Sequence, residues 1–527
     1  MRPKAAAARL ATVSIIAATL AIYLLRLNRA AGLMVDDAWY MLLAKAIADG
    51  RGYRLISSAT TAILPLYPPG FPAILSLVFR ASPDFPQNVW LLKSVSIAAM
   101  MGVGLLTYVY VGTHRHVPRD VSACAAVAVT IVPSFVFLAT STVMSECVFT
   151  LVQLATIVVI HRSVETADPR RARVFAALAA ILASASVLIR SAAVGLIAAI
   201  LLWLLKERGW KAAALFMGVA VLCLVPWFVY ARAHRPSAEQ RAAHGGAVVY
   251  TYGDQFWMQW AGSPGFGRIT ARDLPARIRT NLIDMFARDV GGIVVPTFFR
   301  GASESGEEVV GLGGTAGLSA ASMGGAGATM VISVVLSAIA LVGFIRTARQ
   351  NLTAAEFLVP VALAIVLLWP FWCFRFVLPL APFLFFYFIE GVRAMTGSWR
   401  VARIALLCII GLNVYDHVGY ILHLRHQSQP SSTEWVGASR DVDAALDWIG
   451  RNLRSDGMIA TTNPALVYLR TGRKSIAYDD PVIDLAAWKA RGVRYLICLL
   501  PLDLPARASS RYRVLYQSPG RLWVIEL

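Results

Sequence analysis

Charge is scarce in this sequence. Asp, Glu, Lys and Arg make up only 15% of its 527 residues, 57% are hydrophobic, and many apolar runs reach about twenty residues. Such runs are long enough to cross a hydrocarbon core of about 30 Å, so the chain reads as a polytopic α-helical membrane protein. Acids are scarcest of all, 30 against 49 Lys and Arg, for a net charge of +19. In a soluble protein that excess would raise the question of nucleic acid. Here most of the basic residues sit in short loops between apolar runs, where they set orientation, and no nucleic-acid partner is implied. The six cysteines, at 124, 147, 223, 373, 408 and 498, include no CxxC pair, and all but Cys498 lie in or beside apolar segments. They suggest neither a disulfide framework nor a zinc site. No internal repeat of fixed period is present. The glycine-rich tract Gly311 to Ala328 lacks GxGxxG spacing and a strand-turn-helix context, so it reads as a flexible loop rather than a phosphate cradle.

What is present is about eleven spans, near residues 10–27, 89–112, 121–140, 143–161, 174–190, 191–205, 212–230, 328–345, 353–372, 376–392 and 404–422. The basic start and first apolar run also fit a cleaved signal peptide. The run is long for one, and the many later spans favour an uncleaved helix. The connections "THRHVPRD", "HRSVETADPRRAR", "LKERGWK", "IRTARQN" and "GVRAMTGSWRVAR" are short and basic, which assigns them to the cytoplasm. His114 and His116 fall in the first of these and read as ordinary basic loop residues. Loops 28–88 and 231–327 then face outward from the cell membrane, as does everything after about 423. Within the first outward loop, Ala38 to Asp49 reads as an interfacial helix ended by Gly50 or Gly52, and Tyr67 to Phe79 as a second one begun by Pro68 and Pro69. The membrane region is assigned to 1–430. Residues 431–527 alternate helix-like and strand-like segments, as in a small extracytoplasmic α/β domain, which lacks an obvious catalytic cluster.

Charges in or beside spans are costly and therefore functional candidates. By this topology Asp36, Asp37, Lys93, Glu146, Arg190 and Arg375 all reach the outward surface. Each also has a bland reading. An acid of the pair would cap the following helix, Lys93 would snorkel, Arg190 and Arg375 would anchor an interface, and Glu146 would pair with one of the arginines. Asp36 and Asp37 point about 100° apart on a helix, so they do not share one role, and Asp36 faces the same way as Tyr40. A carboxylate among cations suits sugar transfer from a lipid phosphate, in which the leaving group needs charge neutralisation and the attacking hydroxyl needs a base. An ion-coupled transporter needs similar groups, so composition leaves both open.

"DDAWYMLLAKAIADGRGY" followed by "LYPPGFPAILSL" resembles the first extracytoplasmic loop of the GT-C glycosyltransferases that include protein O-mannosyltransferases and aminoarabinose transferases. "TSTVMSECVFTL", "SVLIRSAAVGLI", "VPWFVYAR" and "WCFRFVLPLAPFLFF" are similar to later segments of that family, in order. "NPALVYLRTGRKSIAY" is similar to its bacterial C-terminal domain. The resemblance implies an inverting glycosyltransferase of the membrane, with a polyprenyl-phosphate-linked sugar as donor and a glycan, lipid or protein as acceptor. It places the general base at Asp36 with Asp37 secondary. It puts Arg375 and Lys93 on the carrier phosphate, and Arg190 and Glu146 in the cavity beside Tyr40 and Tyr67. "IRSA" at Arg190 departs from the family's arginine-proline. No cofactor and no metal are expected. A transporter or flippase of lipid-linked sugars, or an inert scaffold, are the rival readings; no inverted repeat with broken helices supports the first.

Overall fold

The computed structural model of the chain describes residues 3–60, 62–261, 266–295, 326–370, 374–426, 435–454, 457–478, 485–499, 512–518 and 522–527. Cys373 and residues 311–325 of the glycine-rich tract lie outside the described residues.

Each of the eleven apolar runs assigned as spans is helical over most of its described residues. Seven helices among the described residues are long and apolar enough to cross a membrane: Val89–His114, Glu146–Glu165, Pro169–Ile189, Trp210–Ala233, Met330–Gln350, Phe374–Thr396 and Trp399–Arg425. Arg119–Thr130 and Pro133–Ser141 form an eighth span if taken together, bent by 48°. The bend has a local cause. Val132 is extended at ψ 121°, and Pro133, with no N–H to give, begins the second half. The remaining three runs are the shorter helices Ser14–Arg26, Val194–Glu207 and Ala354–Leu368. Val194–Glu207 is only 14 residues because Arg190 adopts an extended conformation and a short 3-10 turn, Ser191–Ala193, intervenes. The chain is a multi-pass helical membrane protein.

Small residues let the helices approach. Ala326–Gln350 and Ala381–Thr396 touch at Gly343 and Gly391. A Cβ on Gly391 would lie 1.9 Å from the Ile339 carbonyl oxygen, and one on Gly343 1.8 Å from that of Tyr387. Next to this contact, Arg115 is buried in an ion pair with Glu356. Tyr387 donates to the same carboxylate at 2.9 Å, and the other Glu356 oxygen accepts from the backbone N–H and hydroxyl of Thr353. Both carboxylate oxygens are thus engaged, as a buried charge requires.

The C-terminal domain carries a five-stranded sheet, ordered β2-β1-β3-β5-β4. Its strands are β1 (Met458–Thr461), β2 (Ser475–Ala477), β3 (Val493–Cys498), β4 (Arg513–Gln517) and β5 (Trp523–Glu526). β1, β2 and β3 are parallel, with the Pro464–Thr471 helix as crossover between β1 and β2, whereas β5 runs antiparallel to β3 and β4. Alternate residues serve opposite faces. Ile459, Tyr495, Ile497 and Val524 join the main core of the molecule, while Ala460, Leu496, Cys498 and Ile525 form a separate cluster on the other side.

The helix contact gives the first prediction. Gly391→Val forces the two helices apart and lowers stability by about 1–3 kcal/mol or more, read as a lower Tm of the purified protein in detergent. An unchanged Tm would show that the contact is not as close as described.

Candidate functional site

The first connection of the membrane region, after the Pro3–Arg26 helix, folds into the Asp36–Ala48 helix. Gly50 and Gly52 follow it with φ of 70° and 78°, as a helix stop requires. The second short helix begins at Gly70 rather than Tyr67, because Pro68 and Pro69 set its approach and Pro69 stands at the cap position. That frees the Tyr67 side chain to face the acid pair.

Neither acid caps its helix through its side chain. The cap position is Val35, a β-branched residue held at φ 64°. Such backbone is costly for valine and persists only where its surroundings over-determine it. The two acids are then disposed differently. Asp36 is 28% exposed; its Oδ1 accepts from the Tyr67 hydroxyl at 2.5 Å and its Oδ2 from Arg375 Nη2 at 2.7 Å. Asp37 is fully buried and accepts from the backbone N–H of Gly32 at 2.7 Å and of Ala38 at 3.0 Å.

Around Asp36, distant elements converge. Arg375, at the start of the Phe374–Thr396 span, also ion-pairs through Nε with Glu146 Oε1 at 3.0 Å, and Arg190 Nη1 reaches the same oxygen at 2.8 Å. Glu146 is the first residue of its helix and is fully buried; Arg190 ends the helix before it turns. Arg190 also donates to the Ser145 hydroxyl at 3.0 Å. Tyr40 packs on Tyr67 and Phe71, with ring centroids 5.0 and 5.2 Å apart. Tyr53 donates to the Tyr67 and Pro68 carbonyls at 2.9 and 3.1 Å, fixing the backbone that presents Tyr67. Burial, reinforced by the Asp36 carboxylate, holds the Tyr67 hydroxyl well above its ordinary pKa, so it stays protonated and donates.

Of the residues singled out in the sequence, Asp36, Tyr40, Tyr67, Glu146, Arg190 and Arg375 come together. Lys93 does not join them, which corrects its assignment to a phosphate. Its ammonium group is buried and donates to the backbone carbonyls of Ala30 at 2.6 Å, Asn28 at 2.8 Å and Thr140 at 2.9 Å. Three donors meet three acceptors, leaving none for a ligand. Lys93 anchors the loop that carries the acids. Asp37 likewise braces the loop. Tyr252, from the second long connection, was missed. It is partly exposed and lies near Asp36, Arg190 and Tyr40, and nothing in the sequence around it marks it.

The C-terminal domain closes this arrangement. Asn463 caps the Pro464–Thr471 helix by accepting from Leu466 N–H at 3.1 Å, and its Nδ2 donates to the Gly32 carbonyl at 2.7 Å. Gly32 itself has φ 86°, and a Cβ there would lie 2.6 Å from Leu466. One peptide segment therefore links the domain to Asp37. Ser475 N–H donates to the Ser57 carbonyl at 2.9 Å, and Arg51 to the Tyr468 hydroxyl at 2.7 Å, seating the domain on the same loop.

No family model and no curated protein matches this sequence. Comparison with solved structures does find neighbours. Apo ArnT from Cupriavidus metallidurans aligns over 99% of this chain and 98% of its own, with TM-score 0.51 and 12% identity. The Archaeoglobus fulgidus oligosaccharyltransferase, in complex with Zn and sulfate, aligns over 92% of this chain and 67% of its own, with TM-score 0.54 and 11% identity. The chain has the GT-C fold. At such low identity the likeness extends to architecture.

Two predictions follow from this geometry. Asn463→Ala removes a cap and strands the Gly32 carbonyl, at a cost of about 1–3 kcal/mol, seen as a lower Tm. A neutral result would detach the domain from the loop. Burial, with repulsion from Asp36 adding to it, pushes the Asp37 carboxyl up to about 6, although the Gly32 and Ala38 N–H groups and Lys93 oppose the rise. The folded state thus holds this proton more tightly than the unfolded chain. Its contribution to stability is full below about pH 4 and lost as pH rises through about 6, roughly 3 kcal/mol in all. Between pH 4 and 7 the stability of the wild type should fall relative to that of Asp37→Asn; parallel pH profiles would exclude a raised Asp37.

Proposed function

We propose that this protein is an inverting glycosyltransferase that takes a sugar from a polyprenyl-phosphate carrier and attaches it to an acceptor hydroxyl on the extracytoplasmic side of the cell membrane. The observation that carries the reading is the division of labour in the acid pair. Asp36 is accessible and sits against Arg375, which Glu146 shares with Arg190, whereas Asp37 is spent on backbone. The GT-C fold supports it, and one fold neighbour is by name an oligosaccharyltransferase.

In this mechanism the acceptor oxygen attacks the anomeric carbon as its proton passes to Asp36. Each Asp36 oxygen accepts one hydrogen bond in the structure and retains a free lone-pair direction for that proton. The anomeric carbon–oxygen bond to the carrier breaks, and polyprenyl phosphate departs with its electron pair. Single displacement inverts the anomeric centre. Arg375 and Arg190 supply the charge that a phosphate leaving group needs, preorganised by Glu146, and the reaction as proposed calls for no divalent metal at this site. Tyr40, Tyr67 and Tyr252 stand near the carboxylate. The acceptor is a cell-envelope glycan, a lipid or a protein.

Loss of a general base costs about 10²–10⁴-fold in rate, so Asp36→Asn should lower turnover by at least about 100-fold without unfolding the protein. The measurement is mass spectrometry of lipid-linked sugars and envelope glycans in a deletion strain restored with either form. Accumulation of one lipid-linked sugar and loss of one glycan decoration, both reversed only by the wild type, is the expected result. Full restoration by folded Asp36→Asn would remove Asp36 as the base and return the transport reading.

A further inference from the structure

At the end of the membrane region away from the acid pair, a second polar cluster has no part in the proposed chemistry. The Glu146–Glu165 helix starts at the acid site and carries His161 and Glu165 in its last turns, one helical turn apart on the same face. Fifteen and nineteen residues of helix place them about 22 and 28 Å from Glu146. The Val89–His114 span runs the same way from Lys93 and finishes in a π turn, Tyr110–His114, whose wider winding brings His114 against them. His114 is therefore not the ordinary basic loop residue its sequence setting suggests; it ends a helix and its side chain is fully buried.

The donor atoms are already assembled. One from each of His114, His161 and Glu165 lie within 4.8 Å of one another, and His114 Nδ1 stands 2.6 Å from Glu165 Oε1. The Nε2 atoms of both histidines are buried with no hydrogen-bond partner. His161 stacks on Trp203 with ring centroids 5.0 Å apart and meets Tyr110 edge-on at 6.2 Å, and neither ring contact serves its Nε2. An unserved buried nitrogen is costly and calls for an explanation. The nearby cations are largely engaged elsewhere. Arg115 is paired with Glu356, and Arg208 donates to the carbonyls of Ser163, Val164 and Thr166; among the described residues, only Arg162 of these cations touches Glu165, at 3.4 Å. Glu165 is 44% exposed, which gives an ion a way in.

We infer that His114, His161 and Glu165 form a binding site for a divalent transition metal of the zinc class, at the opposite end of the helix bundle from the sugar-transfer site. Two imidazoles and one carboxylate, with a water as fourth ligand, are a donor set that zinc accepts. The ion sits among His114, His161 and Glu165 and ties two spans together where each helix ends. Its role is structural, and it does not depend on the proposed transferase reaction.

The test uses the full chain in detergent, freed of any histidine tag and stripped with EDTA. Titration with Co²⁺ should give a visible absorption band saturating at one ion per chain, and Zn²⁺ should displace it and raise Tm by several degrees. His161→Gln should abolish the band, and Glu165→Gln should weaken binding at least about tenfold. Absence of a stoichiometric band in the folded wild type overturns the site, as does binding that survives unchanged in His161→Gln. Should that variant fail to fold, Glu165→Gln, at a half-exposed position, carries the comparison, and affinity equal to wild type there also overturns the assignment.

Discussion

The arrangement of this protein turns on one guanidinium. Arg375 holds Asp36 with one nitrogen and Glu146 with another, and Glu146 in turn holds Arg190. These four side chains come from four separated stretches of sequence and meet at one end of the helix bundle. Two carboxylates and two guanidinium groups sum to no net charge, which is what allows them to sit in a largely buried place. The balance also shapes the proposed reaction. When Asp36 takes a proton from the acceptor it stops drawing on Arg375. At that same step the carrier phosphate gains a negative charge. The guanidinium released by one group becomes available to the other, so proton acceptance and leaving-group stabilisation are coupled through a shared cation.

Such a device works only if Asp36 is held still, and beyond the Tyr67 and Arg375 contacts to its carboxylate the loop that carries it is pinned as well. The loop is pinned from below by Lys93, which gathers carbonyls from Asn28, Ala30 and Thr140. It is pinned from above by Asn463 through the Gly32 carbonyl, and from within by Asp37. Val35, three residues past Gly32 in the same loop, is held at a backbone angle that valine resists. The C-terminal domain therefore acts as a buttress of the acid loop, whatever it contributes to the acceptor.

The parts legible in the sequence are those governed by the membrane. Hydrocarbon excludes charge from the middle of a span, so Glu146, Arg190 and Arg375 mark helix ends, and counting ends along the chain puts them on one side. Repeating αβ signals in the tail gave its strands for a similar reason, since buried parallel strands such as β1 and β3 are near-continuous apolar runs. What was hidden depends on contacts between residues far apart in sequence. Nothing near Lys93 announces that three carbonyls will saturate it. The break before Pro133 was written in the proline, yet its 48° bend is set by packing. Tyr252 is one aromatic among many in a long connection. His161 lies inside an apolar run and looks like core until the π turn brings His114 to it.

One helix, Glu146–Glu165, reaches from one polar cluster to the other. The span that carries Lys93 near its start ends at His114, and the one that begins at Glu146 carries His161 and Glu165 at its end, with a largely apolar, packed stretch between. A rigid helix transmits position but not charge over about 28 Å, a distance at which direct electrostatic influence is small. The far cluster can therefore reach the acid site only by changing how these two helices lie against each other. That separates the contributions physically. Groups at the acid end set the chemistry through charge, and groups at the far end act on the frame in which that charge is placed.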